Sequence, residues 1–316
     1  MRSFQLANES SPLSLTPDFI LPEDKRPQLS EVSTLTSIPI IDLNDSMAIQ
    51  NISQACEEYG FFQIVNHGVP EEVCNKMMAA ASDFFELAPE RRAQFFTRDH
   101  KKEVKLYSFY LKVEDGRKIN MWSESFSHHW HSVDHFIHLL PENFGLSTGL
   151  DLEEDCFQKM LGDKPTLKAQ ANFYPPCPDP ELTLGLAVHT DLNALTVRLQ
   201  SEGVTGLQVI KDGKWVSVPT VPNAFIINLG DQIQVLSNGR YRSVHHRAVT
   251  NKLHSRVSMA MFYGPNIDAV IGPIQDLIDE EHPPKYKNYR YGDFLQEFFK
   301  QEGTRRMVKE LFELPN

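Results

Sequence analysis

From residue 38 onward the hydrophobic positions switch between two periods. Ile38-Pro39-Ile40-Ile41-Asp42-Leu43 is an apolar run of strand length. After it, Ile52, Ala55, Cys56 and Tyr59 recur at helical spacing, and Gly60 is placed to end that helix. Phe61-Phe62-Gln63-Ile64-Val65-Asn66 reads as a second, buried strand. Pro70 then stands where a helix starts, with Val73, Met77, Ala80, Ala81 and Phe84 as its expected apolar face. Residues 1–37 differ: they are rich in Ser, Pro and charge and show no period, which predicts a loosely ordered lead-in.

The texture changes again near Thr166. Short apolar or alternating runs follow one another, separated by turn signals at Pro175-Pro176, Gly203, Asp212-Gly213, Pro222-Asn223 and Asn238-Gly239. Gln208–Val216 has the form of a hairpin around an Asp-Gly turn. Short strands at such intervals predict a sandwich or barrel. Near the end, Phe294, Leu295, Phe298 and Phe299, then Met307, Val308, Leu311 and Phe312, predict two helical stretches packing by one face. The expected protein is therefore mainly β with flanking α. It has an N-terminal α/β region over 38–130, a β-rich core over 166–270, and a helical tail over 285–316 packed on that core.

Composition narrows the function classes. The chain has 316 residues, 41% of them hydrophobic, enough for one large domain or two modest ones. Its net charge of −11, with no dominant basic stretch, argues against a nucleic-acid partner. No apolar run is long enough to cross a bilayer, and Met1–Leu15 lacks a signal-peptide core. Cys56, Cys74, Cys156 and Cys177 show no C-x-x-C spacing, so a reduced, cytoplasmic setting is expected. The expected partner is a small-molecule substrate, and a monomer is expected.

The chemistry centres on His189-Thr190-Asp191. Alternate residues of a strand point the same way, so His189 and Asp191 can present an imidazole and a carboxylate to one point. One more imidazole from the distant run Ser243-Val244-His245-His246-Arg247-Ala248-Val249 would complete a two-histidine, one-carboxylate face. Such a face suits Fe(II) and leaves coordination positions open. His245 and His246 point to opposite faces of a strand, so only one of them can serve. Arg256 and Ser258, two apart, can share a strand face, where a guanidinium fork and a hydroxyl suit a carboxylate. A second group, His128, His129, His131, His135 and His138, includes a helical pair, but no acidic or thiolate ligand completes a set. It is read as a polar strand or loop near the pocket mouth. Phe126 and Trp130 are either substrate contacts or core, and Gly162-Asp163-Lys164 has no phosphate-loop signature around it.

The runs IPIIDL (38–43), GFFQIVNHG (60–68), NFYPPCP (172–178), His189–Asp191, NLGD (228–231), SNG (237–239), His246–Asn251 and Arg256–Ser258 occur together and in order. In these the chain resembles the plant-type Fe(II)- and 2-oxoglutarate-dependent dioxygenases, nearest to members acting on flavonoids, salicylates and alkaloids. The resemblance implies a double-stranded β-helix (jelly roll) with helices outside. It implies iron ligands at His189, Asp191 and His246, the last selected because it precedes Arg-Ala-Val. It implies 2-oxoglutarate contacts at Arg256, Ser258, Tyr174 and Asn172, structural glycines at 230 and 239, and ascorbate as a reductant. The implied reaction couples 2-oxoglutarate decarboxylation and O2 to hydroxylation or desaturation of a small specialised metabolite. The tail could help to exclude water. In one respect the chain departs from the family: the stretch 132–165 is short by about one helix. Two further readings stand beside the first, the second of them because of that short stretch. One is an iron oxidase of the same scaffold that does not use 2-oxoglutarate, and the other is an inactive, non-catalytic paralogue.

Overall fold

The structure, a computed structural model, describes residues 14–33, 38–97, 99, 102–130, 145–301 and 308–315. Eight strands form the larger sheet. Their spatial order is β1 (Ile40–Asp42), β2 (Phe61–Val65), β12 (Phe225–Leu229), β9 (Leu195–Gln200), β14 (Arg256–Gly264), β7 (Thr166–Tyr174), β6 (Glu124–Trp130) and β3 (Val104–Tyr107). Within it β1 and β2 pair in parallel and the other neighbours are antiparallel. The smaller sheet runs β11 (Lys214–Ser217), β10 (Leu207–Lys211), β13 (His246–Ala248), β8 (Leu186–His189). Two further hairpin-like pairs stand apart: β4 (Tyr110–Lys112) with β5 (Lys118–Asn120), and β15 (Val270–Ile271) with β16 (Tyr289–Arg290).

From β7 to β14 the chain passes back and forth between the two sheets, apart from the β10–β11 hairpin. This is the jelly-roll core, with helices packed outside it. The hairpin turns at Asp212 and Gly213, both at positive φ (50° and 76°), as a tight Asp-Gly turn requires. The helix Ala48–Glu58 buries Ala48, Ile52, Ala55 and Cys56 on one face, against a cluster that includes Phe62, Ile64 and Ile227. Gly60 ends it at φ 63°, with its N–H on Ala55 O.

Four expectations are corrected. The helix Glu71–Glu86 buries Cys74, Ala81 and Phe85, while Val73 is 52% exposed and Ala80 is exposed. The face is thus turned about one residue from the expected one, because Phe85 rather than Phe84 enters the interior, stacking on Phe173 of β7. The lead-in is anchored over its described part. Phe19 packs on Trp122 with ring centroids 5.0 Å apart, and Leu21 N–H bonds to Leu182 O. Leu15 packs beside Phe19 and Leu29 beside Leu21, so the anchoring side chains fill sites made by distant chain. In the tail, the helix Tyr291–Lys300 buries Phe294 but leaves Phe299 47% exposed. The second stretch is a 3-10 turn, Val308–Phe312, with Leu311 45% exposed; Met307 lies outside the described residues. Of the shortened 132–165 stretch, the part from 145 onward contributes a short helix, Cys156–Leu161, and buries Leu146, Leu150, Phe157 and Leu161. The part where a helix was expected to be missing falls largely outside the described residues.

Candidate active site

His189 closes β8 and His246 opens β13, and the register sets the two residues directly opposite each other. Their rings lie 4.1 Å apart by centroid. Asp191 follows β8, and its carbonyl accepts the Asp231 N–H at 2.8 Å. That bond is one of three. Gly230, Asp231 and Gln232 donate their N–H groups to the carbonyls of Ala194, Asp191 and Asn193. The turn after β12 is therefore laced to the loop after β8. Gly230 is needed there for closeness rather than for φ, since a Cβ would stand 2.0 Å from Asn193 O. Gly239 sits at φ 79°, a turn conformation that favours glycine.

The donor atoms converge. His189 Nε2 and His246 Nε2 each lie 3.6 Å from Asp191 Oδ1. The ligand atoms of the three residues lie within 4.8 Å of one another, the one such group among the described residues. In each ring Nδ1 faces a backbone carbonyl, Ala187 O at 2.8 Å and Val244 O at 3.3 Å. A proton on Nδ1 leaves the Nε2 lone pair turned inward. His246 Nε2 is buried with no hydrogen-bond partner. Asp191 Oδ2 accepts from Thr196 Oγ1 and Asn228 Nδ2, both at 2.7 Å, which leaves Oδ1 for the cluster. Two imidazole lone pairs and one carboxylate oxygen at this separation fit a divalent metal of the Fe(II) type.

The protonation states agree with that use. Burial pushes the His246 imidazole down to about 4 against the pull of Asp191, so it is neutral near pH 7. Burial alone would raise Asp191, but the His246 and His189 rings, Arg198 and the Asn228 bond hold it well below the usual carboxylate range. Behind the cluster, buried Asp231 ties several segments together. It accepts from Thr190 Oγ1 at 3.1 Å, Ser243 Oγ at 2.8 Å and Lys309 Nζ at 3.2 Å. His245 lies on this side, in the field of Lys309 and Asp231, outside the donor cluster.

Beside the cluster a cavity is lined by Asn172 and Tyr174 of β7, Arg256 and Ser258 of β14, and Arg198. Arg256 stands opposite Tyr174, and Ser258 opposite Asn172. Arg256 is 3% exposed, and its Nη2 donates to Gln200 Oε1 at 2.7 Å while Nε has no hydrogen-bond partner. Its guanidinium carbon lies 5.1 Å from the Tyr174 ring centroid. A buried guanidinium with an unused donor and no carboxylate in ion-pair reach among the described residues fits an acidic ligand. Asn172 Oδ1 is taken up by Ser125 Oγ and Gln170 Nε2.

The sequence reading missed the supporting residues: Thr196 and Asn228 on Asp191, Gln200 on Arg256, and the Asp231–Lys309 pair. A signal existed in β9, where polar Thr196, Arg198 and Gln200 alternate within an otherwise apolar strand. Lys309 carried none. Phe126 packs on Phe84 at 4.2 Å between centroids, and Trp130 joins the main core. His128 and His129 sit on β6, whereas His131, His135 and His138 lie outside the described residues. The four cysteines are free. Among the described residues no helix is long and apolar enough to cross a membrane.

Comparison with known proteins gives consistent matches. Residues 167–265 match the profile of the 2OG-Fe(II) oxygenase superfamily. Residues 38–143 match that of the non-haem dioxygenase in morphine synthesis N-terminal region. The chain is 39% identical to Protein DOWNY MILDEW RESISTANCE 6 of Arabidopsis thaliana, over 95% of each chain. It is 35% identical to Flavanone 3-dioxygenase 2 of Oryza sativa subsp. japonica, over 93% of each. A crystal structure of JOX2 in complex with 2OG, Fe and JA superposes with a TM-score of 0.86 at 34% identity, covering 100% of this chain and 98% of that one.

Proposed function

The chain belongs to the 2OG-Fe(II) oxygenase superfamily, and on that premise we propose a specific division of labour among its residues. His189, Asp191 and His246 hold Fe(II). Arg256 and Ser258 hold the distal carboxylate of 2-oxoglutarate, with Tyr174 beside them and Asn172 near the co-substrate. Bound Fe(II), 2-oxoglutarate and O2 supply oxidative decarboxylation to succinate, coupled to hydroxylation or desaturation of a C–H bond.

The protein's own residues prepare that chemistry. Thr196 and Asn228 fix the Asp191 carboxylate in one orientation. The carbonyls of Ala187 and Val244 set the tautomer of both histidines. Gln200 aims the Arg256 guanidinium. The substrate is a small specialised metabolite of phenolic, flavonoid or alkaloid-like type. Relatives named for flavanone oxidation and a solved relative with JA bound support that class. The reading also takes the protein as a monomer in the cytoplasm, and the formal net charge of −11 supports the absence of a nucleic-acid partner.

One observation carries this reading: two Nε2 atoms and Asp191 Oδ1 face one point while Asp191 Oδ2 is already engaged. Its test is Asp191→Ala, assayed with Fe(II), ascorbate, 2-oxoglutarate and a panel of such metabolites. Succinate formation and iron retention should both vanish; undiminished turnover contradicts the ligand assignment. Products should carry one added oxygen or lack two hydrogens. An iron oxidase that omits 2-oxoglutarate would consume oxygen without releasing succinate, and buried Arg256 argues against it.

A further inference from the structure

We infer that Lys168 binds a carboxylate group of the substrate and holds it beside the metal-ligand cluster. This deepens the function proposed above and rests on it.

Lys168 belongs to the inner row of β7. Alternate residues share a face, and Gln170, Asn172 and Tyr174 of that row line the cavity together with His189 and Asp191. Across the sheet, Lys168 pairs with Phe262, Phe262 with Thr196, and Thr196 with Asn228. Thr196 and Asn228 are the two residues bonded to Asp191. Lys168 thus stands in the same cross-strand row as the supports of the ligand carboxylate. Its ammonium lies 5.1 Å from the Phe262 ring centroid, and Phe262 also lines the cavity.

This cation has no anion of its own. Among the described residues no carboxylate lies within ion-pair distance of Lys168 Nζ. The charge that favours its protonated form is Asp191, whose oxygens are committed elsewhere. A second ammonium, that of Lys105, stands near it, with Asp99 in turn favouring the charged form of Lys105. Lys105 of β3 stands opposite Ser127, which stands opposite Gln170, so it faces the same interior. The two lysines repel each other. His129 of β6 is the residue opposite Lys168 on its other side. A half-buried ammonium backed by an aromatic ring is stabilised most by an anionic oxygen group, which forms charge-assisted hydrogen bonds there.

The anion is not 2-oxoglutarate already held at Arg256. Arg256 stands opposite Tyr174, at the far end of β7. Lys168 and Tyr174 are six positions apart, or about 20 Å along the strand. One five-carbon diacid cannot bridge that span. The group on Lys168 therefore belongs to the other small molecule, and a carboxylate there leaves the rest of the substrate directed at the metal ligands.

The test compares benzoate, cinnamate, phenylacetate and octanoate, each with its methyl ester. The protein is loaded with Fe(II) and 2-oxoglutarate without oxygen, and binding is read by calorimetry. At least one acid should bind about tenfold or more tightly than its ester. Lys168→Met should bring that pair within about threefold, while Lys168→Arg should keep most of the preference. The visible band of the Fe(II)–2-oxoglutarate complex should be unchanged in both variants. Equal binding of acids and esters, no binding of any acid, or a preference that survives in Lys168→Met overturns the inference. So does loss of the band in Lys168→Met alone, which would assign Lys168 to the co-substrate. Absence of the band in the unaltered protein would instead count against the iron and 2-oxoglutarate assignment, and the acid–ester comparison would still decide the role of Lys168.

Discussion

At the scale of single residues, the site works through groups whose charge is set by what surrounds them. Arg256 is buried with one donor engaged by Gln200 and another unused. Charge-assisted hydrogen bonds contribute roughly 1.5–3 kcal/mol. Arg256→Met should therefore raise the KM for 2-oxoglutarate by about 10- to 150-fold, measured as succinate release against co-substrate concentration, with iron binding retained. Lys168 brings a pH dependence. Burial lowers its ammonium to about 8, with Asp191 opposing the shift. It is charged below that pH and loses its proton as pH rises through it. Binding of an acidic substrate should weaken about tenfold per pH unit above 8, while its methyl ester binds equally well throughout. In Lys168→Met the acid should lose most of this dependence. Asp191, Lys105 and His129 are the other ionisable groups facing Lys168, and Lys105 changes charge in the same direction, so the variant isolates the share due to Lys168.

Among the elements, the decisive contact joins the 3-10 turn Val308–Phe312 to the turn after β12. Lys309 Nζ reaches Asp231 Oδ1 and the Ser243 carbonyl, each at 3.2 Å, and Asp231 is fully buried. Asp231 in turn holds Thr190, between two proposed ligands, and Ser243, three residues before the third. Removing one member of a buried pair leaves the other charge uncompensated, at a cost of about 3–5 kcal/mol. Lys309→Met should lower stability by about that amount in urea unfolding and weaken iron retention. Asp231→Asn combined with Lys309→Met should recover part of the stability, since an amide needs no counter-charge. Full stability of the single variant would show that the tail merely rests on the core.

For the whole molecule, two sheets frame a site whose candidate ligand atoms converge. A ligand that binds only the folded chain stabilises it by mass action, by about 2.7 kcal/mol at a hundred times its dissociation constant. Melting should rise by several degrees with Mn(II) and 2-oxoglutarate together, and EDTA should reverse the gain. Asp191→Ala should show no metal-dependent shift. A metal-independent melting curve in the unaltered protein would count against a preformed centre.

Local pattern alone was enough for the strands and helices whose side chains repeat at one period, and for the Asp-Gly hairpin, because these depend on neighbours in sequence. The period of two anticipated that His189 and Asp191 act together, but the strand ends at His189 and Asp191 is placed from the following loop by its bond to Asp231. The order of motifs pointed to the jelly roll and to His246 rather than His245. The face of the helix Glu71–Glu86 was misread, because two adjacent phenylalanines offer the same period to either side and only the sheet beneath chooses Phe85. Thr196 and Asn228 on Asp191, Gln200 on Arg256, Lys309 on Asp231 and Lys168 against the cavity-lining Phe262 were invisible for a related reason. Each partner lies far away in sequence, and strand register, which decides who faces whom, is set by packing of the whole core rather than by any local run of residues.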